Sequence, residues 1–113
     1  MTRRGADAEA LAAAFLEGRG LTVLARNYRC RLGEIDLVAR DGAITVFVEV
    51  RQRASADYGG AAGSITTAKR ERVIRAARHY LARLTTEPPC RFDVVLLEGS
   101  PPRIEWLRDA FGQ

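Results

Sequence analysis

Leu11, Ala12, Phe15 and Leu16 recur at helical spacing and predict an opening helix over about residues 7–17. Gly18 and Gly20 supply its stop. On this helix Glu9 lies at the edge of the apolar stripe, near Leu16, whereas Glu17 points away. The period then shortens. Residues 21–29 read as a strand with Leu21, Val23 and Ala25 on one side. Residues 34–40 and 44–51 are two β-rich runs beside Asp41-Gly42, a dipeptide that strongly favours a hairpin. Residues 54–64, rich in Gly, Ala and Ser, read as a loop. Helical spacing returns over residues 66–84, with Thr67 and Glu71 marking the N-terminal cap region. Val73, Ala77, Tyr80, Leu81 and Leu84 form the apolar face of this second helix. Arg72, Arg75, Arg78, His79 and Arg83 lie opposite. Pro88-Pro89 ends that unit. Residues 91–98 contain the unbroken apolar run Val94 to Leu97, as in a strand covered on both faces. Residues 103–107 read as a last short strand. The order is α, β, β, β, α, β, β, without repeat or linker, and predicts one mixed α/β domain over residues 1–113.

The central hairpin carries the candidate chemistry. With Asp41-Gly42 as a two-residue loop, Arg40 pairs with Ala43, Asp36 with Phe47 and Glu34 with Glu49. Glu34, Asp36, Phe47, Glu49 and Arg51 then share one face; Ile35, Leu37, Val46, Val48 and Val50 take the other. A like-charge cross-strand pair is destabilising. Three clustered carboxylates therefore call for a cation, for a protonated acid, or for neutralisation by Arg51 and Lys69. Oxygen-only ligands favour Mg²⁺ or Mn²⁺ over zinc. Such a centre suits phosphodiester hydrolysis, in which the metal polarises phosphate and activates water.

Composition narrows this reading. At 113 residues the chain is long enough to bury a core without disulfides. Cys30, Cys90 and His79 form no zinc-ligand spacing, and both cysteines are expected reduced and structural. The net charge is +4, and arginine supplies 17 of the 18 positive side chains, which suits phosphate recognition. The basic start Met1-Thr2-Arg3-Arg4 is followed by Asp7 and Glu9, which interrupt any export-signal core, and no stretch approaches the ~20 apolar residues of a membrane span. A cytoplasmic protein without membrane association is expected.

The run Gly33-Glu34-Ile35-Asp36-Leu37-Val38-Ala39-Arg40-Asp41-Gly42, followed by Val46-Phe47-Val48-Glu49-Val50-Arg51, resembles the YraN-like family of small bacterial proteins. That family is predicted to be similar to archaeal Holliday-junction resolvases, within the PD-(D/E)XK nuclease superfamily. The resemblance extends to Arg4-Gly5, to Ala8-Glu9 and on to Leu16, to Arg26-Asn27, to Lys69, and to Arg91-Phe92-Asp93. It implies a restriction-endonuclease-like αβββαβ fold, with a mixed central sheet flanked by helices. It also implies a Mg²⁺- or Mn²⁺-dependent endonuclease acting on DNA, including branched or structured DNA, and a homodimer.

Residue by residue, the resemblance implies that Asp36 is the metal-binding aspartate and Glu49 the acid of the E-x-K element. Glu9 matches a first-helix glutamate that joins the metal. Glu34 is expected to support the ligands from outside. Arg51 occupies the lysine place. Permanently protonated, it is no general base, yet it suits charge growing on a phosphate. Lys69, at the border of the second helix's apolar face, is the expected substitute. Asp36, Glu49, Arg51 and Lys69 thus form the expected catalytic set; Arg51, Arg53, Tyr58, Lys69 and Arg72 are the expected nucleic-acid contacts. The competing expectation is a catalytically impaired nucleic-acid-binding module on the same fold. Asp93 is expected to be structural, and Trp106 and Phe111 to be core or dimer contacts.

Overall fold

A computed structural model describes residues 4–53 and 66–112, with side chains from Ala8 onward. Helix α1, Arg4–Gly18, leads into three strands, β1 Thr22–Cys30, β2 Gly33–Asp41 and β3 Ile44–Arg53. Helix α2, Thr67–Ala82, follows, and then β4 Cys90–Glu98 and β5 Arg103–Phe111. The strands form one sheet in the order β1-β2-β3-β4-β5. Only β3 and β4 are parallel; the other neighbours run antiparallel. This is the expected mixed sheet flanked by helices, compatible with a restriction-endonuclease-like fold. The strand expected over residues 103–107 runs on to Phe111. No helix among the described residues is long and apolar enough to cross a membrane.

Each helix covers one face of the sheet. Ala8, Ala12, Ala13 and Leu16 of α1 are buried on Leu37, Ala39, Val46, Val48, Val50, Val95 and Leu97. Small alanines let this helix sit close. Its end is a Schellman motif: Gly20 adopts φ +94 and donates to the Glu17 carbonyl, while the Leu21 N–H reaches Leu16. Val73, Ala76 and Ala77 of α2 pack with Ile35, Val38, Phe47 and Phe92 on the opposite face. The helix is capped by Thr66, whose hydroxyl accepts the Lys69 N–H at 3.1 Å, so the cap falls one residue before Thr67. It stops at Ala82, and Leu84, expected on the apolar face, is 40% exposed beyond its end. The arginines expected outside, Arg72, Arg75, Arg78 and Arg83, are exposed, as is His79.

The hairpin register differs from the expected one. Asp41 pairs with Ile44 and Leu37 with Val48, so Gly42-Ala43 forms the turn, with Gly42 at φ +61. Asp41 stays in the strand because its carboxylate accepts the Arg91 guanidinium at 3.0 Å. The slip is two residues, which preserves the faces near the turn. It removes the expected Glu34–Glu49 opposition: Glu34 pairs instead with Arg29 of β1. Alternation also breaks at Asp36. Ile35 joins Val38 and Phe47 under α2, not Leu37 and the valines under α1.

Gly33 is required by close packing. A Cβ there would lie 2.2 Å from the Arg72 carbonyl oxygen in α2. Backbone on both sides leaves no side chain to move aside. Gly33→Ala is therefore expected to lift α2 off the sheet and destabilise the fold by about 1–3 kcal/mol, read as a lowered thermal midpoint.

Candidate metal and catalytic site

Strands β2 and β3 part at their far end. Their pairing runs from the turn to Leu37–Val48, after which β2 continues only against β1 and β3 only against β4. Asp36 and Glu49 stand at this fork and replace the missing ladder bonds with their own carboxylates. Asp36 Oδ2 accepts the Val50 N–H at 2.9 Å, and Glu49 Oε2 faces the Asp36 N–H at 3.5 Å. The two acids thus satisfy backbone donors that would otherwise be orphaned.

Residues from both helices close on the fork. Glu9 of α1 lies beside the side chains of Asp36 and Asn27, which act on its carboxyl in opposite senses. Asn27 lies between the Arg26–Leu37 and Tyr28–Ile35 pairs, at φ 52. From α2, Lys69 Nζ comes to 3.5 Å of Glu49 Oε1; from β3 itself, Arg51 comes to 3.9 Å of the same oxygen. Neither cation is aligned to donate: Glu49 Oε1 is buried without a hydrogen bond, and so is Arg51 Nε. The Glu49 side chain is only 1% exposed.

This crowding shows in the acidity of the group. Burial, with the Asp36 charge next, raises Glu49 from the usual 4.5 to about 7 against the pull of Lys69 and Arg51. Glu9 is raised by burial and then by Asp36. Without metal, Glu49 holds a proton in the folded chain that it releases on unfolding between those two values. The stability this supplies is full below 4.5 and lost as pH rises through about 7. The loss is on the order of 3 kcal/mol. Metal-free protein is therefore expected to be more stable on the acid side of that window, and Glu49→Gln to flatten the dependence. Denaturant titrations on either side of the window measure both.

The arrangement fits a hard divalent cation in its chemistry. The donors are oxygens, one of them buried and unsatisfied, and the weakened acidity of Glu49 and Glu9 marks a crowding of negative charge that a cation would relieve. Among the described residues no three His, Cys, Asp or Glu side chains are gathered as a ready metal cage. Mg²⁺ seldom needs one, being held by one or two carboxylates with water and phosphate completing the shell.

Glu9, Asp36, Glu49, Arg51 and Lys69 are thus brought together. Glu34 stands apart from Glu49, 4.0 Å from Arg29, in a hollow shared with Lys69, Arg72 and Val73. Arg53 sits at the end of β3, where its carbonyl accepts the Gly99 N–H at 3.1 Å. Tyr58 lies outside the described residues. Sequence reasoning missed Asn27 as a site residue; the available signal was an asparagine inside a β-rich run, a residue depleted in strands. Asp93 is structural as expected, while Trp106 and Phe111 pack in the core against Phe15 and Phe92.

The model of a family described as "Uncharacterised protein family UPF0102" matches residues 8–97. A UPF0102 protein of Nitrosospira multiformis is 58% identical over 109 residues, covering 96% of this chain and 92% of its own. One from Nitrosomonas europaea is 57% identical over 97% and 94%, and one from Cupriavidus taiwanensis 62% identical over 96% and 82%.

Proposed function

We propose that this chain, which belongs to the UPF0102 family, is a cytoplasmic Mg²⁺- or Mn²⁺-dependent endonuclease that hydrolyses phosphodiester bonds in DNA. One observation carries the reading: Asp36 and a buried Glu49 with an unsatisfied oxygen meet where two strands separate, beside Glu9 and Lys69. Glu9, Asp36 and Glu49 would hold the cation. When bound, the metal supplies Lewis acidity and a water of lowered pKa.

The chain's own residues do the rest. Asp36 is fixed by the Val50 N–H, which holds one of its oxygens at 2.9 Å and leaves the other for the cation. Lys69 places an ammonium where it orients an attacking water and offsets charge on the phosphate. Arg51 cannot take up a proton and contributes only positive charge. The lysine of the E-x-K element is thus supplied from α2. A phosphodiester within DNA of branched or structured form is the proposed substrate, with a homodimer suited to its symmetry.

A second reading, a catalytically impaired DNA-binding module, draws on Arg51 at the lysine place and on the lack of a ready three-acid cage among the described residues. Incubation of plasmid and four-way-junction DNA with the protein and Mn²⁺ separates the two. Cleavage that chelator abolishes and that Lys69→Ala weakens is expected. Binding without cleavage under any divalent ion favours the second reading.

A further inference from the structure

Three shallow hollows adjoin one another on the α2 side of the sheet. The first, at the fork, is lined by Glu34, Lys69, Arg72 and Val73. It shares Glu34 and Arg72 with a second, which adds Arg29, Arg31 and Leu32 around the β1–β2 turn. The third shares Arg31 and Leu32 and ends at His79. They trace a single path from Lys69, beside Glu49, between the β1–β2 turn and the outer flank of α2. Four cationic side chains, Lys69, Arg72, Arg29 and Arg31, line it against the one carboxylate Glu34, and Glu34 is already matched by Arg29 at 4.0 Å.

We propose that this path is the track of a DNA strand leaving the cleaved bond, with its phosphates on Arg72 and Arg31. The inference rests on the nuclease reading for its direction, since it begins at the proposed metal ligands. Three features favour a polyanionic strand. The charge along the path is predominantly positive, its one carboxylate, Glu34, being already paired with Arg29. Arginine presents forks matched to phosphate oxygens. The hollows are open, as a continuous strand requires. Leu32, 49% exposed at the tip of the turn, gives the strand an apolar surface for a sugar or base.

The test is the salt dependence of DNA binding, followed by anisotropy of a labelled duplex in chelator so that nothing is cleaved. Removing one phosphate-binding cation makes the slope of log affinity against log salt shallower by about 0.9. The double variant Arg31→Gln/Arg72→Gln is expected to make it shallower by about 2, and to slow Mn²⁺-dependent cleavage of long DNA at higher salt. The control is Arg40→Gln/Arg103→Gln, which removes the same net charge away from the path. Both of its arginines are exposed, and its slope is expected to stay near wild type. Thermal midpoints show that both doubles fold. Equal reductions in the two doubles, or none in either, overturn the track even if cleavage is present, leaving the nuclease reading intact. A track-specific reduction without any cleavage supports Arg31 and Arg72 as phosphate contacts of a bound strand and removes the nuclease reading, and with it the direction of the track. A wild type that does not bind DNA overturns both.

Discussion

Asp36→Asn is expected to abolish Mn²⁺-dependent cleavage while leaving the fold intact. Asparagine has the same shape and keeps an amide oxygen to accept the Val50 N–H, so the fork retains its one short hydrogen bond. What changes is charge. Asp36 is the acid common to both of its neighbours, raising Glu9 and Glu49 alike through its charge. Losing an outer-shell partner typically reduces metal affinity or activity ~10–100-fold. A ligand at the centre of the cluster should exceed that, so a fall of at least about 100-fold is expected. The same substitution removes the like charge that raises Glu9 and Glu49, so both acids move back toward ordinary carboxylate behaviour. The pH window of metal-free stability then shifts to lower pH. Calorimetric titration with Mn²⁺, a cleavage time course and a pH series of unfolding read the three effects. Wild-type cleavage by the variant would remove Asp36 from the chemistry.

Asp93→Ala is expected to cost more stability than any other single substitution near the site, with no part in catalysis. The carboxylate is fully buried and accepts from three donors: Arg91 Nε, shared between its two oxygens at 3.1 and 3.2 Å, Trp106 Nε1 at 2.9 Å and the Asp109 N–H at 2.9 Å. It fills the irregularity where β4 and β5 change register between Phe92 and Val94. Asp109 stands in the left-handed region at φ 53 and turns its amide inward there. Burial works against the Arg91 charge, but Asp93 and Asp41 more than offset it and raise the guanidinium above the usual arginine value. Alanine would leave Arg91 Nε, Trp106 Nε1 and the Asp109 N–H without an acceptor, with Asp41 alone to balance the guanidinium. Breaking a buried pair from one side costs about 3–5 kcal/mol, a large share of the ~5–15 kcal/mol that holds a domain together. A fall of roughly 15 °C or more in thermal midpoint is expected. Asp93→Asn, which keeps one acceptor, should fall between. A shift of only a few degrees for alanine would show that water replaces the lost acceptor.

Much of this architecture was legible in the pattern of apolar residues, because period alone separates helix from strand. The unbroken Val94 to Leu97 run marked the doubly covered strand. The Asp41-Gly42 pair located the hairpin but misplaced its turn. Local preference favours Asp-Gly, whereas the observed turn is set by a contact between residues fifty positions apart, Asp41 and Arg91. No local pattern carries that information. The register in turn decides which acid meets Glu49, so the sequence placed Asp36 near Glu49 through a pairing that does not exist. Asp36 and Glu49 meet because the strands part, and the break in alternation that seats Ile35 under α2 has no period to announce it. Lys69 was legible as a border residue of α2; its approach to Glu49 depends on how closely that helix sits, which Gly33 permits.

The fork also gives the molecule an internal reporter. The Val50 amide is tied to a side chain rather than to a neighbouring strand, so its proton senses the state of one carboxylate. In a heteronuclear magnetic-resonance spectrum its crosspeak would follow the charge and occupancy around Asp36, while amides of the regular ladder nearby would hardly move. Titration of the acids, arrival of an ion and the seating of a substrate would each register at that position without any label attached to the chain.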